Sequence, residues 1–299
     1  MNMDKSGQGD CHIHMIMDGI YFRDAIDAHR DAVQMDWVRK VLAEYQRRGV
    51  TYLRDGGDTH EVCLAASKIA EEYGIEYRMP VFAIHRAGRY GKIVGFPYQD
   101  LREFRQMVQD AKTRGADFIK IMVSGILDFH EVGKMSCPPL PPEEIRELVN
   151  IVHGEEMAVM LHINEKEPIL AAIEAGAESL EHGFYMDGEC LQALAEHPES
   201  MWIPSIAPVG NQIGSGRFPD EVLSAIVQRQ QENIRSLVQM GGRVALGSDA
   251  GAYHVYHGQA IADERTYILE ALEGVQSGAE TDAMLQESQN WVRGHFRRR

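Results

Sequence analysis

Residues 158–183, AVMLHI-NEKEPILAAIEAGAE-SLEHG, hold the pattern that decides the fold. The run Ala158–Ile163 is almost wholly apolar and gives way to the turn residue Asn164. Ile169, Leu170 and Ile173 then fall at helical spacing, and Ala175-Gly176 supplies the glycine that suits the left-handed end of a helix. A second short strand signal, Ser179–Glu181, follows at once. Strand, helix, strand over so short a span reads as a parallel βαβ unit. The two strands run out on His162 and His182.

The same rhythm extends in both directions. Candidate strands are Cys11–Met17, Thr51–Arg54, Tyr77–Ile84, Phe118–Val123, Ala158–Ile163, Ser179–Glu181, Met201–Ile206 and Val244–Gly247. A glycine turn precedes most of them, as at Arg48-Gly49, Tyr73-Gly74, Arg114-Gly115 and Gly241-Gly242. Between them, Asp58-x-x-Glu61 and Asn164-x-x-Glu167 read as capping boxes, and Pro141-Pro142-Glu143-Glu144 as a helix start. Eight such units predict an α/β fold of the (β/α)8 barrel type; a doubly wound open sheet would rarely need so many. No proline- or serine-rich linker interrupts the chain, so residues 1–299 read as one domain. Ile261–Arg299 form its C-terminal helices, and Phe296-Arg297-Arg298-Arg299 a solvated tail.

Composition narrows the function classes. The 299 residues carry 45 acidic and 30 basic side chains, a net charge of -15, and a mean hydropathy of -0.31. That balance suits a globular protein and opposes binding to nucleic acid, where phosphates would repel it. No apolar run approaches the roughly 18 residues of a membrane span. Met1 to Asp10 is polar and lacks the pattern of a signal peptide. Four cysteines, Cys11, Cys63, Cys137 and Cys190, stand far apart without a C-x-x-C pair, as expected of reduced thiols in a cytoplasmic protein.

In a barrel, reactive side chains sit at the C-terminal ends of the strands. There the chain places His12-Ile13-His14, Lys120 between Ile119 and Ile121, His162, His182, and Asp249 in Gly247-Ser248-Asp249-Ala250-Gly251. Alternation puts His12 and His14 on one face, so both imidazoles can converge on one ion. An unpaired ammonium inside an apolar strand is costly, which marks Lys120. Singly each residue has an ordinary structural reading; their joint occurrence at five strand ends does not.

This set resembles the amidohydrolase superfamily with a two-metal centre, and most closely its prolidase- and imidazolonepropionase-like branch. The resemblance rests on Asp10-Cys11-His12-Ile13-His14, Arg54-Asp55-Gly56-Gly57, Gly115-Ala116-Asp117-Phe118-Ile119-Lys120, Ser179-Leu180-Glu181-His182-Gly183 and Gly247-Ser248-Asp249-Ala250-Gly251. It implies two divalent ions, zinc foremost, with manganese, iron or cobalt as alternatives. His12, His14 and Asp249 would hold the more buried ion and His162 and His182 the other. Lys120, N-carboxylated, would bridge both. The implied reaction is hydrolysis of an amide, peptide-like or cyclic amide bond by a metal-bridging hydroxide, with Asp249 as general base and then acid. Lactonase or phosphotriesterase-like ester hydrolysis and a mononuclear deaminase-type reaction are the alternatives. From another class, a silent binding protein could have kept the barrel.

Strand one begins about ten residues in, and no closing strands follow residue 251, so most or all of the family's accessory β-sandwich is expected to be missing. Arg54 and Asp55 read as structural hydrogen-bonding residues. For substrate, the basic cluster His85, Arg86, Arg89, Tyr90 and Lys92 suggests a small molecule with an acidic group. His130, Tyr185, Tyr253, His254 and His257 are further contact candidates on loops at the same end. Barrels of this kind often pair, which leaves a homo-oligomer open.

Overall fold

In the computed structural model, which describes residues 8–298, the predicted alternation forms with parallel pairing throughout. The strands are β1 (Gln8–Ile13), β2 (Val50–Asp55), β3 (Glu76–Arg78), β4 (Ala83–Arg86), β5 (Gly95–Tyr98), β6 (Ile119–Met122), β7 (Val159–Ile163), β8 (Ser179–His182) and β9 (Met201–Ile203). Their ladders run β1-β2-β3 and β5-β4-β6-β7-β8-β9. Residues 244–250 join the two outer ends. The amide of Ala245 donates to the carbonyl of Trp202 at 2.9 Å, that of Cys11 to Leu246 at 2.9 Å, and that of Asp249 to His12 at 2.7 Å. On the opposite side the Asp117 amide donates to the Met79 carbonyl, and the Asp117 carboxylate accepts from the Met79 amide. The result is a (β/α)8 barrel, and among the described residues no β-sandwich accompanies it.

Two strands depart from expectation. The predicted strand Tyr77–Ile84 is broken in two, because Val81 takes a φ of 68°, a region costly for a β-branched residue. Its carbonyl there accepts from the Asp58 amide and the Cys63 thiol, which offsets the strain. The first half, β3, pairs with β2; the second, β4, pairs with β6 and starts late enough to carry His85 and Arg86 on the strand instead of a loop. The eighth position, Val244–Gly247, makes one isolated bridge, Val244 with Trp202, and no ladder.

The helix starts show where side chains found other partners. The helix Pro142–Gly154 opens on proline and acids as expected. Asp58 does cap the helix Val62–Ile69, accepting from the amides of His60, Val62 and Cys63, but Glu61 is not its reciprocal partner and pairs with Arg114 instead. Asn164 caps nothing. Its amide group donates to Ser124 Oγ and the Gly125 carbonyl, its oxygen accepts from the Phe184 amide, and the helix begins at Lys166. The side chain thus ties together the loops after β6, β7 and β8.

The end of the chain corrects the picture of a solvated tail. The helix Gly278–His295 carries a true capping box, Ser277 with Glu280, and delivers Val292 and Phe296 into the base of the barrel. Phe296 is fully buried and meets the Phe118 ring edge-on at 5.2 Å, beside Tyr52, Met160 and Ile203. The polar start read from Met1 to Asp10 lies outside the described residues up to position 7, as does Arg299 at the other end. The four cysteines are unpaired, and no helix among the described residues is long and apolar enough to cross a membrane.

Candidate metal centre

Five strand ends converge as the barrel rule requires. His12 stands on β1, His14 just beyond it, Lys120 on β6, His162 on β7, His182 at the end of β8 and Asp249 on the closing segment. All six line one cavity of about 240 Å³. His12 Nε2 and His14 Nε2 lie 3.6 and 3.5 Å from Asp249 Oδ1. Ligand atoms from these three residues fall within 4.8 Å of one another. The ring centres of His12 and His182 are 5.1 Å apart, and those of His162 and His182 4.6 Å. The Nε2–H of His162 donates to the Gly125 carbonyl at 3.0 Å, which leaves Nδ1 with the lone pair.

Local structure fixes these positions. A Cβ at Gly56 would sit 2.3 Å from His14 Cε1, so only glycine lets that ring lie against the backbone. Asp10 grips Ser248 twice, accepting from its amide at 2.9 Å and its hydroxyl at 2.6 Å. This holds the residue before Asp249 beside β1. Asp55 accepts from the Met15 amide and the Tyr77 hydroxyl, steadying the turn after His14. The His182 carbonyl accepts from Trp202 Nε1 and Gln230 Nε2.

Burial dominates the electrostatics. It pushes the imidazoles of His14 and His162 down to about 3 and lowers His12 and His182 as well, with Lys120 contributing to each. All four rings are therefore neutral at ordinary pH, the form that binds a cation. Burial likewise lowers Lys120 and raises Asp249. Both ring nitrogens of His12, His14 Nδ1 and Lys120 Nζ are buried without a hydrogen-bond partner. Unsatisfied buried nitrogens are rare in native proteins, and a cluster beside a carboxylate fits a metal site.

The substrate candidates divide. Tyr90 lines the cavity, its ring 5.2 Å from that of His162, and so does Tyr253. Arg86 does not; it pairs with Glu144 and lies over Tyr98. His85 is buried with Nδ1 on the Arg86 carbonyl, and Arg89 donates to the Pro138 carbonyl from an exposed loop. His130 is paired with Asp128 against Phe218, Tyr185 lies under Arg229, and His254 stacks on Tyr253 at 4.1 Å. His257 is held by the Tyr45 hydroxyl and the Met17 carbonyl. Like Arg86, these residues stand outside the cavity lining. The walls are mostly apolar instead, with the aromatic rings of Tyr21, Phe22, Phe129, Phe184 and Phe218 and with Arg217 among them. Neither Arg217 nor these aromatics could be singled out from spacing, since all but Phe22, which starts the helix Phe22–Ala28, lie in loops.

One wall is braced from behind. The buried carboxyl of Glu264 accepts from the Ala207 amide at 2.8 Å, just before the cavity residues Pro208 and Val209. Burial raises this carboxyl from 4.5 to about 8. The folded protein thus keeps a proton that the unfolded chain releases above 4.5, so stability falls as pH rises from about 4.5 to 8 and is unaffected below. Glu264→Gln removes that loss. We expect its stability over the parent to grow between pH 5 and pH 8, by up to roughly 1 kcal/mol per pH unit. Urea midpoints at the two pH values check this; parallel curves would count against it.

Solved structures share the fold. An Xaa-Pro dipeptidase with bound methionine in its active site superposes with a TM-score of 0.73 at 20% identity, over 96% of this chain and 75% of that one. Ochratoxinase of Aspergillus niger gives 0.74 at 21%, over 96% and 71%. In sequence, ochratoxinase is 29% identical over 159 residues, half of this chain but only 32% of its own length. An uncharacterized protein of Mycobacterium tuberculosis is 24% identical over 194 residues, 60% of this chain and 51% of its own. The amidohydrolase family model matches residues 7–289, and the chain belongs to that family.

Proposed function

We propose that the protein is a metal-dependent hydrolase that cleaves an amide bond. The observation that carries this reading is the convergence of His12 Nε2 and His14 Nε2 on Asp249, beside the buried and unpartnered Lys120 Nζ, in one apolar-walled cavity. His12, His14 and Asp249 would hold one ion and His162 and His182 a second, with Lys120 as an N-carboxylate a further ligand, which would replace a costly buried cation by an anionic group. When bound, the ions supply Lewis acidity that polarises the substrate carbonyl and makes water acidic enough to attack near neutral pH. Asp249 accepts the proton of the attacking water and returns it to the departing nitrogen. The apolar walls exclude bulk water and take the apolar part of the substrate. Amide cleavage is also what the name of the similar dipeptidase suggests.

The test is metal content per chain after purification without chelator in bicarbonate buffer, followed by a panel of N-acyl amino acids, dipeptides and lactones. We expect about two equivalents, amide hydrolysis abolished by chelation, and recovery with zinc, manganese or cobalt. Protein that takes up no ion after zinc loading would end this reading. Lactone turnover without amide turnover would move it to the ester-cleaving alternative.

The acidic group of the substrate finds its partner in Arg217. Its guanidinium lies 4.2 Å over the Tyr253 ring and 5.2 Å over Phe218. No carboxylate lies within ion-pair distance of it among the described residues, while Arg86, Lys134 and Lys166 are all paired. Arg217→Met should raise KM for an N-acyl amino acid about tenfold, the loss of one charge-assisted contact, with kcat nearly unchanged. The matching carboxamide should be indifferent to the substitution. Unchanged KM for the acid would remove Arg217 from this role.

A further inference from the structure

Directly beneath the ligand set lies a buried polar chain that joins strands on opposite sides of the barrel. Arg54 stands on β2 and Glu181 on β8, strands that are not neighbours, so their contact crosses the interior. Arg54 Nη2 donates to Glu181 Oε1 at 2.8 Å, and the Ser179 hydroxyl donates to the same oxygen. The other oxygen, Oε2, lies 3.0 Å from His12 Nδ1. Arg54 also donates through Nε to the Cys11 carbonyl at 2.6 Å, and its plane lies 4.3 Å over the ring of Phe296. All of these side chains are fully buried.

The chemistry of this chain is directional. Arginine has donors only and does not give up its proton, so the carboxyl it grips is the acceptor. The two atoms make no hydrogen bond, but a carboxylate oxygen 3.0 Å from His12 Nδ1 attracts a hydrogen there and repels a lone pair, so the hydrogen sits on Nδ1 and the lone pair on Nε2. That is the nitrogen which lies 3.6 Å from Asp249. From this geometry we infer that Glu181 is a positioning residue that sets the tautomer of His12 and so selects its metal-binding nitrogen. Arg54 holds Glu181 in place, and the C-terminal Phe296 supports Arg54 from below. The inference rests on the reading of His12 as a metal ligand, although the tautomer itself is a property of the metal-free protein.

The test has two arms. In the metal-free wild type, nitrogen NMR of labelled histidine, assigned by its loss in His12→Gln, should show His12 protonated on Nδ1. Protonation on Nε2 would overturn the proposal. In the second arm, Arg54→Met with Glu181→Gln removes both charges together, so neither is left buried alone. We expect this variant to keep its circular dichroism while zinc affinity, measured by chelator competition, falls roughly 10- to 100-fold. Zinc binding as tight as wild type would overturn the proposal. A wild type that binds no zinc but shows the Nδ1 tautomer would defeat the metal reading and leave the Glu181–His12 assignment standing.

Discussion

Asp249→Asn should leave the protein folded and lower kcat by about 10²- to 10⁴-fold, the range typical of a lost general acid–base group. The choice of substitute matters because Asp249 has a φ of 57°, where few side chains other than aspartate and asparagine sit without strain. The Asp249→Asn variant would keep the backbone bond to the His12 carbonyl and the Ser248 clasp from Asp10, so its thermal midpoint should stay near that of the parent. Alanine would lose turnover too, but would add backbone strain of about 1–2 kcal/mol and confuse the two effects. Steady-state kinetics beside thermal unfolding separates them. A kcat within tenfold of wild type in Asp249→Asn would take the proton-transfer role away from this carboxylate.

Lys120→Met should reduce bound metal from about two equivalents to one or fewer, and turnover with it. Lys120 is buried, its amine has no hydrogen-bond partner, and burial lowers its affinity for a proton. A neutral amine is the form that adds carbon dioxide, so the environment that makes an ammonium costly favours the carbamate. Methionine fills the same space and offers no anionic oxygen. Labelled bicarbonate should give a carbamate carbon signal in the wild type and none in Lys120→Met. Two tightly bound ions in the methionine variant would show that the lysine bridges nothing.

The strand–helix rhythm and the histidines at strand ends were legible because both depend on residue type at short spacing. His12 and His14 share a face by the period of a strand, and no distant contact is needed to see it. What escaped depended on partners far away in sequence. Arg86 looks free until Glu144 arrives from 58 residues later, whereas Arg217 looks like loop and, among the described residues, has no carboxylate partner. Asn164 has the right spacing for a cap, but Ser124, Gly125 and Phe184 compete for its side chain and win. Phe296 sits among arginines and reads as tail, yet the base of the barrel needs a plug and Arg54 a surface to lie on. The break at Val81 is a backbone event with no glycine to announce it.

The closing segment carries a consequence for how the molecule comes apart. Residues 244–250 touch β9 and β1 through isolated bridges and single amide bonds, where every other junction from β6 to β9 has a full ladder. This is one of two unladdered seams in the wall, the other lying between β3 and β4. His12 and His14 stand on one side of it and Asp249 on the other. An ion gripped by those three would be a rivet across this seam, coupling occupancy of the site to closure of the wall. Loading would stabilise the folded form by mass action, and it would do so at a seam that no ladder holds.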